Sequence, residues 1–237
     1  MIRLSNLTVC YRRHPAIHHI NGEFCVGSHT AIVGPNGAGK TTLLKALVGL
    51  LPSTGTVEID GDMAYLPQLT ELDRQFPLTV EELALAGDWH KSGNWKSIDH
   101  ETRHKAHAAL HRVGLTDFAA RPLAMLSGGQ LQRARFARLI VQDASIILLD
   151  EPFNSVDSRT TDTLLTLLDE WHAAGKTIVT VVHDLAMARS RFPSALLLAR
   201  EIIAWDRSEI ALSQDNITRA QTAIEHWHDQ TEWCERS

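Results

Sequence analysis

Two groups of residues in this 237-residue chain have the types and spacing to handle phosphate. The first is Gly34-Pro35-Asn36-Gly37-Ala38-Gly39-Lys40-Thr41-Thr42, which fits the pattern G-x-x-x-x-G-K-[ST]. It lies between the apolar run ending at Val33 and Leu43-Leu44-Lys45-Ala46-Leu47, where a buried strand should turn into a helix. Gly34, Gly37 and Gly39 free the backbone to aim successive N–H groups at one anion, and the new helix adds its positive dipole end. Lys40 brings a charge for the outer phosphates, and the Thr41 hydroxyl is placed to ligate Mg2+. A nucleoside triphosphate cradle is the expectation.

The second group is Asp150-Glu151, at the end of Ser145-Ile146-Ile147-Leu148-Leu149. Four consecutive large aliphatics suit a strand buried on both faces of a parallel sheet. Two carboxylates leaving such a strand are costly unless a cation and hydrogen bonds offset their desolvation. Asp150 can reach a metal at the cradle, and Glu151 can polarise a water for attack on the γ-phosphate.

The elements that must position these groups follow from periodicity. Ile2 to Tyr11 alternates as a half-exposed strand, and Phe24 to Val33 reads as strand leading into the cradle, with Pro15, Gly22 and Gly27 as punctuation. A helix is expected from Lys40 to about Leu50. Strands follow at Thr56 to Ile59 and Met63 to Leu66, joined by Asp60-Gly61-Asp62 as a hairpin turn. Between about 68 and 142 the chain turns mostly helical. Thr79 can cap Val80 to Ala86, a helix from about Asp99 to Val113 stops at Gly114, and Gln130 to Val141 is helical and rich in arginine (Arg133, Arg135, Arg138). Helix is expected again at Arg159 to Ala174 and Leu185 to Arg191, strand at Lys176 to Val182, Ala195 to Leu198 and Ile202 to Trp205, then a helical tail. This alternation implies an α/β layered core with right-handed crossovers. One domain spanning 1–237 is expected, with its core at about 1–67 and 143–237 and an inserted helical lobe at about 68–142.

Composition narrows the function. The apolar content of 44% suits one substantial core, and no apolar run reaches the ~20 residues of a membrane helix. A soluble chain that is not secreted is the expectation. A net charge of −5 with scattered basic residues argues against nucleic acid as a partner. Cys10, Cys25 and Cys234 are far apart and show no disulfide framework, which suits a reducing cytoplasm.

Leu126-Ser127-Gly128-Gly129-Gln130 matches the LSGGQ signature of ATP-binding cassette proteins and stands shortly before the Ile146 to Glu151 strand, as in that family. Tyr11 resembles the family's adenine-stacking aromatic, Gln68 its Q-loop glutamine, Ser155-Val156-Asp157 its D-loop, and His183 its switch histidine. The resemblance covers about Ile2 to Leu198 and implies a P-loop ATPase with a mixed or parallel sheet, an antiparallel β part and the helical lobe. It further implies two cassettes facing head to tail, with each ATP and its Mg2+ held between one copy's Gly34 to Thr42 and the other's Ser127 to Gln130. In that arrangement Thr41, Gln68 and Asp150 serve the metal, Glu151 activates water, His183 holds the γ-phosphate and Asp157 couples the two sites. Taken by themselves, Tyr11 also reads as a strand-edge residue, Gln68 as an exposed turn residue and His183 as a satisfied strand-end histidine.

A finer resemblance, to ATPases of divalent-metal and metal-chelate importers, rests on Tyr65-Leu66-Pro67-Gln68, Phe76-Pro77-Leu78-Thr79-Val80-Glu81 with Gly87, and Glu151-Pro152-Phe153. It implies a subunit at the cytoplasmic face of the inner membrane, working with permease subunits and indirectly with an extracytoplasmic solute-binding protein for zinc, manganese or an iron chelate. The alternative is a soluble ATPase serving a cytosolic scaffold such as iron–sulfur cluster assembly. The stretches 189–193 and 205–208 lack the family's usual turns. Phe76, Leu78, Leu85 and Trp89 are candidates to receive the permease, or else belong to the lobe's own core. His100, His104, His107 and His111 share one side of a helix, either as a solvated face or as a transition-metal site.

Overall fold

The computed structural model describes residues 1–11, 14–69, 77–89, 99–154 and 156–229, with side chains through residue 225. Strand β1 (Ile2–Tyr11) runs antiparallel to β2 (His14–Phe24) on one side and to β4 (Thr54–Ile59) on the other, forming a three-stranded sheet. The larger sheet has six strands in the order β5-β6-β7-β3-β8-β9. Here β3 is His29–Val33, β5 Met63–Leu66, β6 Ile146–Asp150, β7 Thr177–Val181, β8 Ser194–Ala199 and β9 Glu201–Arg207. Every pairing in it is parallel except β8 with β9. All residues of β3, β6 and β7 are buried, as expected for strands covered on both faces.

The helices are α1 (Lys40–Leu47), α2 (Val80–Leu85), α3 (His100–Arg112), α4 (Gly128–Gln142), α5 (Ser158–Ala173), α6 (Leu185–Arg191), α7 (Ser208–Ala211) and α8 (Gln214–Asp229). Helices α2, α3 and α4 share a core through Val80, Ala106, Leu110, Leu131 and Phe136, which continues onto the sheet at Ile147 and Leu149. Thr79 caps α2 as expected: its hydroxyl accepts from the Glu82 N–H at 3.3 Å, and Glu82 Oε2 accepts from the Thr79 N–H at 2.8 Å.

Two expectations change. Asp60-Gly61-Asp62 does not turn a hairpin, because β4 joins the small sheet while β5 crosses to the large one and pairs with β6. Asp62 holds that crossing by accepting from the Ser145 N–H at 3.1 Å and the Ser145 hydroxyl at 2.9 Å. Phe24 ends a strand instead of starting the one that enters the cradle, since a turn at Cys25–Ser28 separates β2 from β3. Cys25 is a free, exposed thiol.

Strand β5 lies at one edge of the large sheet, and α4 covers it. Arg138 donates to the Tyr65 carbonyl at 2.8 Å, Gln142 to that of Met63 at 3.2 Å, and Arg135 to that of Pro67. These carbonyls belong to alternate residues, which point to the same side of a strand. Long polar side chains of a helix thus take the place of a neighbouring strand.

Candidate active site

Four of the parallel strands, β3, β5, β6 and β7, end on the same edge of the sheet, and each is followed by a residue of the candidate site. That edge, beyond the carboxyl ends of the strands, is where open α/β sheets bind ligands. A cleft of about 300 Å3 there is lined by Asn36 to Thr42, Gln68, Glu151 and His183, together with Ala16 from β2.

Gly39 is held at φ 92, and a Cβ there would stand 2.4 Å from the Ala16 carbonyl oxygen, so only glycine fits where the loop enters α1. Gly39 is also the N-cap of α1 and contributes no side-chain cap. The Lys40 ammonium folds back over the loop, donating to the Gly34 carbonyl at 2.8 Å and the Pro35 carbonyl at 3.0 Å. Burial lowers its pKa, while Glu151 and Asp150 oppose the shift by favouring the charged form.

Thr41 links this loop to β6. Its hydroxyl donates to Asp150 Oδ1 at 3.1 Å and accepts from the Gln68 amide at 3.1 Å. Asp150 is 1% exposed at the end of its apolar strand. Glu151 has φ 51, a left-handed backbone unusual for a side chain of this size. Its carboxylate lies between His183 Nε2 on Oε1 and the Asn154 amide on Oε2, both at 2.5 Å. Asn154 and Ala16 were not singled out from sequence. Asn154 had one visible signal, an asparagine in the turn just beyond a buried strand.

Other predicted residues lie elsewhere. Tyr11 ends β1, is 49% exposed and does not line the cleft. Gly34 and Pro35 take part through the carbonyls that receive Lys40. Ser127 to Gln130 open α4, outside the cleft. The helix starts at Gly128, two residues earlier than expected, because Ser127 is its N-cap. Gln130 N–H donates to Ser127 Oγ at 3.2 Å, and Ser127 N–H donates to Gln130 Oε1 at 2.9 Å. Gly129 faces the turn before α5, where a Cβ would stand 3.1 Å from Asp157 Oδ2. Asp157 caps α5 by accepting from Thr160 N–H at 2.8 Å and its hydroxyl at 2.9 Å, and these bonds hold its pKa below the ordinary carboxylate value. Ser155 and Phe76 lie outside the described residues.

His100, His104, His107 and His111 are exposed along α3, and His107 Nε2 lies 3.5 Å from Glu81. Among the described residues no group of three or more His, Cys, Asp or Glu is arranged to hold a metal ion. Leu85 is buried in the lobe core, which corrects its candidacy for an exposed docking face, and Leu78 packs partly against the same core. Trp89 is 55% exposed.

Residues 17–154, more than half of the chain, match the family model described as ABC transporter. The chain belongs to the ABC transporter family. A probable metal transport system ATP-binding protein of Chlamydia pneumoniae is 42% identical over 221 residues, which cover 90% of this chain and 85% of the relative. The zinc transport system ATP-binding protein TroB of Treponema pallidum is 37% identical, covering 92% of this chain and 86% of its own. The manganese transport system ATP-binding protein MntB of Bacillus subtilis is also 37% identical, with 92% and 91% covered. Among solved structures, a metal-chelate type ABC transporter in an inward-facing conformation superposes with a TM-score of 0.83 at 27% identity, covering 95% of this chain and 88% of its own. The dimeric cassette MJ0796 bound to ADP and Pi superposes at 0.78 and 27% identity, over 88% of this chain and 99% of its own. This ABC protein is an ATPase, and its fold is the α/β fold of P-loop cassettes. No helix among its described residues is long and apolar enough to cross a membrane.

Proposed function

We propose that this ABC ATPase powers a multi-subunit importer for a divalent metal, zinc or manganese, or for a metal chelate. The observation that carries the chemistry is the convergence of Lys40, Thr41, Gln68, Glu151 and His183 in one cleft at four strand ends. The names of the zinc, manganese and metal transport relatives support the cargo class. They favour transport over service to a cytosolic assembly scaffold.

In this reading the backbone of Gly34 to Thr42 binds the ATP phosphates, Lys40 neutralises the outer ones and Tyr11 meets the adenine. Thr41, Gln68 and Asp150 offer a hydroxyl, an amide oxygen and a carboxylate, the hard oxygen donors that suit Mg2+. When bound, Mg2+ would offset charge on the phosphates. Glu151 orients the attacking water and takes its proton. His183, already on Glu151 Oε1, fixes that carboxylate and faces the γ-phosphate.

Ser127 to Gln130 lie outside the chain's own cleft, which supports their serving a second copy in a head-to-tail dimer, with Asp157 between the sites. The dimer of MJ0796 is consistent with this arrangement. The subunit would sit peripherally on the cytoplasmic face of the membrane against permease subunits, and a solute-binding protein would deliver the cargo outside. The exposed Trp89 is the described residue best placed for the permease contact. The helical region at about 68–142 and the core at about 1–67 and 143–237 would act as one domain.

The test is uptake of radioactive zinc and manganese by cells carrying the chain with its permease. Uptake should vanish in Glu151→Gln, and membrane association should require the permease and fall in Trp89→Glu. Uptake of both metals unchanged by Glu151→Gln would sink the transport assignment.

A further inference from the structure

The arginine-rich stretch of α4 does more than cover a sheet edge. Gln132 and Arg135 are 2% and 3% exposed, in a helix whose first turn carries Ser127 to Gln130. The Gln132 amide donates to the Pro152 carbonyl at 2.7 Å, and its own oxygen accepts from Arg135 Nη1 at 2.9 Å. The other arm of the same guanidinium, Nη2, donates to the Pro67 carbonyl. Pro67 is the residue before Gln68, and Pro152 the residue after Glu151. One continuous chain of hydrogen bonds, buried at Gln132 and part-buried at Pro67, therefore joins the backbone flanking both residues.

We propose that Arg135 and Gln132 are positioning residues that lock the Gln68 arm and the Glu151 turn to α4. The proposal rests on the roles assigned above to Gln68 and Glu151. Three observations support it. First, the Pro152 carbonyl lies in a turn, outside any strand ladder, and accepts from the buried Gln132 amide. Second, Glu151 stands at φ 51, and such a backbone persists only where its surroundings over-determine it. Third, the planar fork of arginine can serve the Gln132 and Pro67 oxygens at once, which the single ammonium of lysine does less well. The helix that would face a second copy's nucleotide is thus tied directly to the chain's own reacting groups. A movement of α4 would shift Gln68 and Glu151 together.

The test uses the full chain with Mg-ATP and three readouts: kcat, ATP affinity and amide hydrogen exchange. Arg135→Lys should lower kcat between about tenfold and a hundredfold through misplacement of the reacting groups, leaving ATP affinity within about twofold. Exchange should speed up over both 65–69 and 151–154, but not over 34–42. Gln132→Glu keeps an acceptor for Arg135 and loses the donor to Pro152, so exchange should rise over 151–154 alone. If Arg135→Lys does not fold, Gln132→Glu decides with the same readouts. Parental kcat and exchange in these variants would overturn the proposal. So would exchange rising evenly along the chain with ATP affinity falling in parallel, which would mark the pair as ordinary packing. Glu151→Gln is the separate control: if it hydrolyses ATP normally, the site assignment fails, whereas its inactivity beside a normal Arg135→Lys rejects only the brace.

Discussion

The N-termini of α1 and α4 both lie among glycines, and both are expected to meet phosphate, yet they are built in opposite ways. Helix α1 begins at Gly39 with no side-chain cap and no acidic residue in its first turn, so its N–H groups face the cleft. Helix α4 begins with a closed capping box, Ser127 and Gln130 each accepting the other's N–H. An uncapped helix start has unmet donors and positive potential ready for an anion. A capped one has met part of that demand internally. In the proposed reading the first helix start offers open donors to phosphate, and the second would exchange internal hydrogen bonds for external ones when a phosphate arrives.

Substitutions can break that contrast. The largest effects belong to the open site. Lys40→Ala should weaken ATP binding by the isolated chain at least about tenfold, because a charge-assisted contact in a partly buried place is lost. Glu151→Gln should leave binding intact and lower turnover about a hundredfold or more, accumulating a nucleotide-bound dimer visible by size-exclusion chromatography. Normal turnover by Glu151→Gln would remove the water-activating role.

A smaller effect is expected at the closed site. Ser127→Ala should cost about 1 kcal/mol of stability through the lost cap, measured by denaturant unfolding. ATP affinity of the monomer should stay within about twofold while turnover by the dimer falls. If Ser127→Ala reduced monomer affinity as Lys40→Ala does, the two helix starts would not differ in the way described.

The smallest effect concerns Asp157, which caps α5 beside Gly129. Hydrogen bonds from the Thr160 N–H and hydroxyl hold its pKa in the folded chain below the ordinary aspartate value. Its contribution to stability is therefore full above that value and is lost as pH falls through the depressed one. Asp157→Asn, which keeps an acceptor for Thr160, should flatten this part of the acid unfolding curve, and Asp157→Ala should also lower stability at neutral pH. An acid profile identical in Asp157→Asn and the parent would remove the charged cap from the account.

What could be read from sequence divides along physical lines. Ile146 to Asp150 and Thr177 to Val181 announced themselves because strands buried on both faces need uninterrupted apolar residues. Thr79 with Glu82 announced a helix start because capping is local chemistry. Strand β2 did not, since His18, His19, Pro15 and Gly22 disrupt alternation and its partner β1 supplies the order. Asp60-Gly61-Asp62 marked a break between two strands, read as a hairpin, but could not say which sheet the next strand would join. That choice was made by Ser145, more than eighty positions away, through its bonds to Asp62. The cradle and its motif partners were legible as residues, whereas Asn154 and the Gln132–Arg135 pair act through contacts between distant segments and leave little trace in spacing.

The side chains that α4 lays along β5 also bear on aggregation during synthesis. An open row of backbone carbonyls on a short apolar strand is a template on which another polypeptide can stack and begin a β-rich aggregate. Arg135, Arg138 and Gln142 occupy that row with bulky polar groups, two of them cationic, so an incoming strand finds neither free acceptors nor room. Until α4 is made and docked, well after β5 has been synthesised, the nascent strand has no such guard.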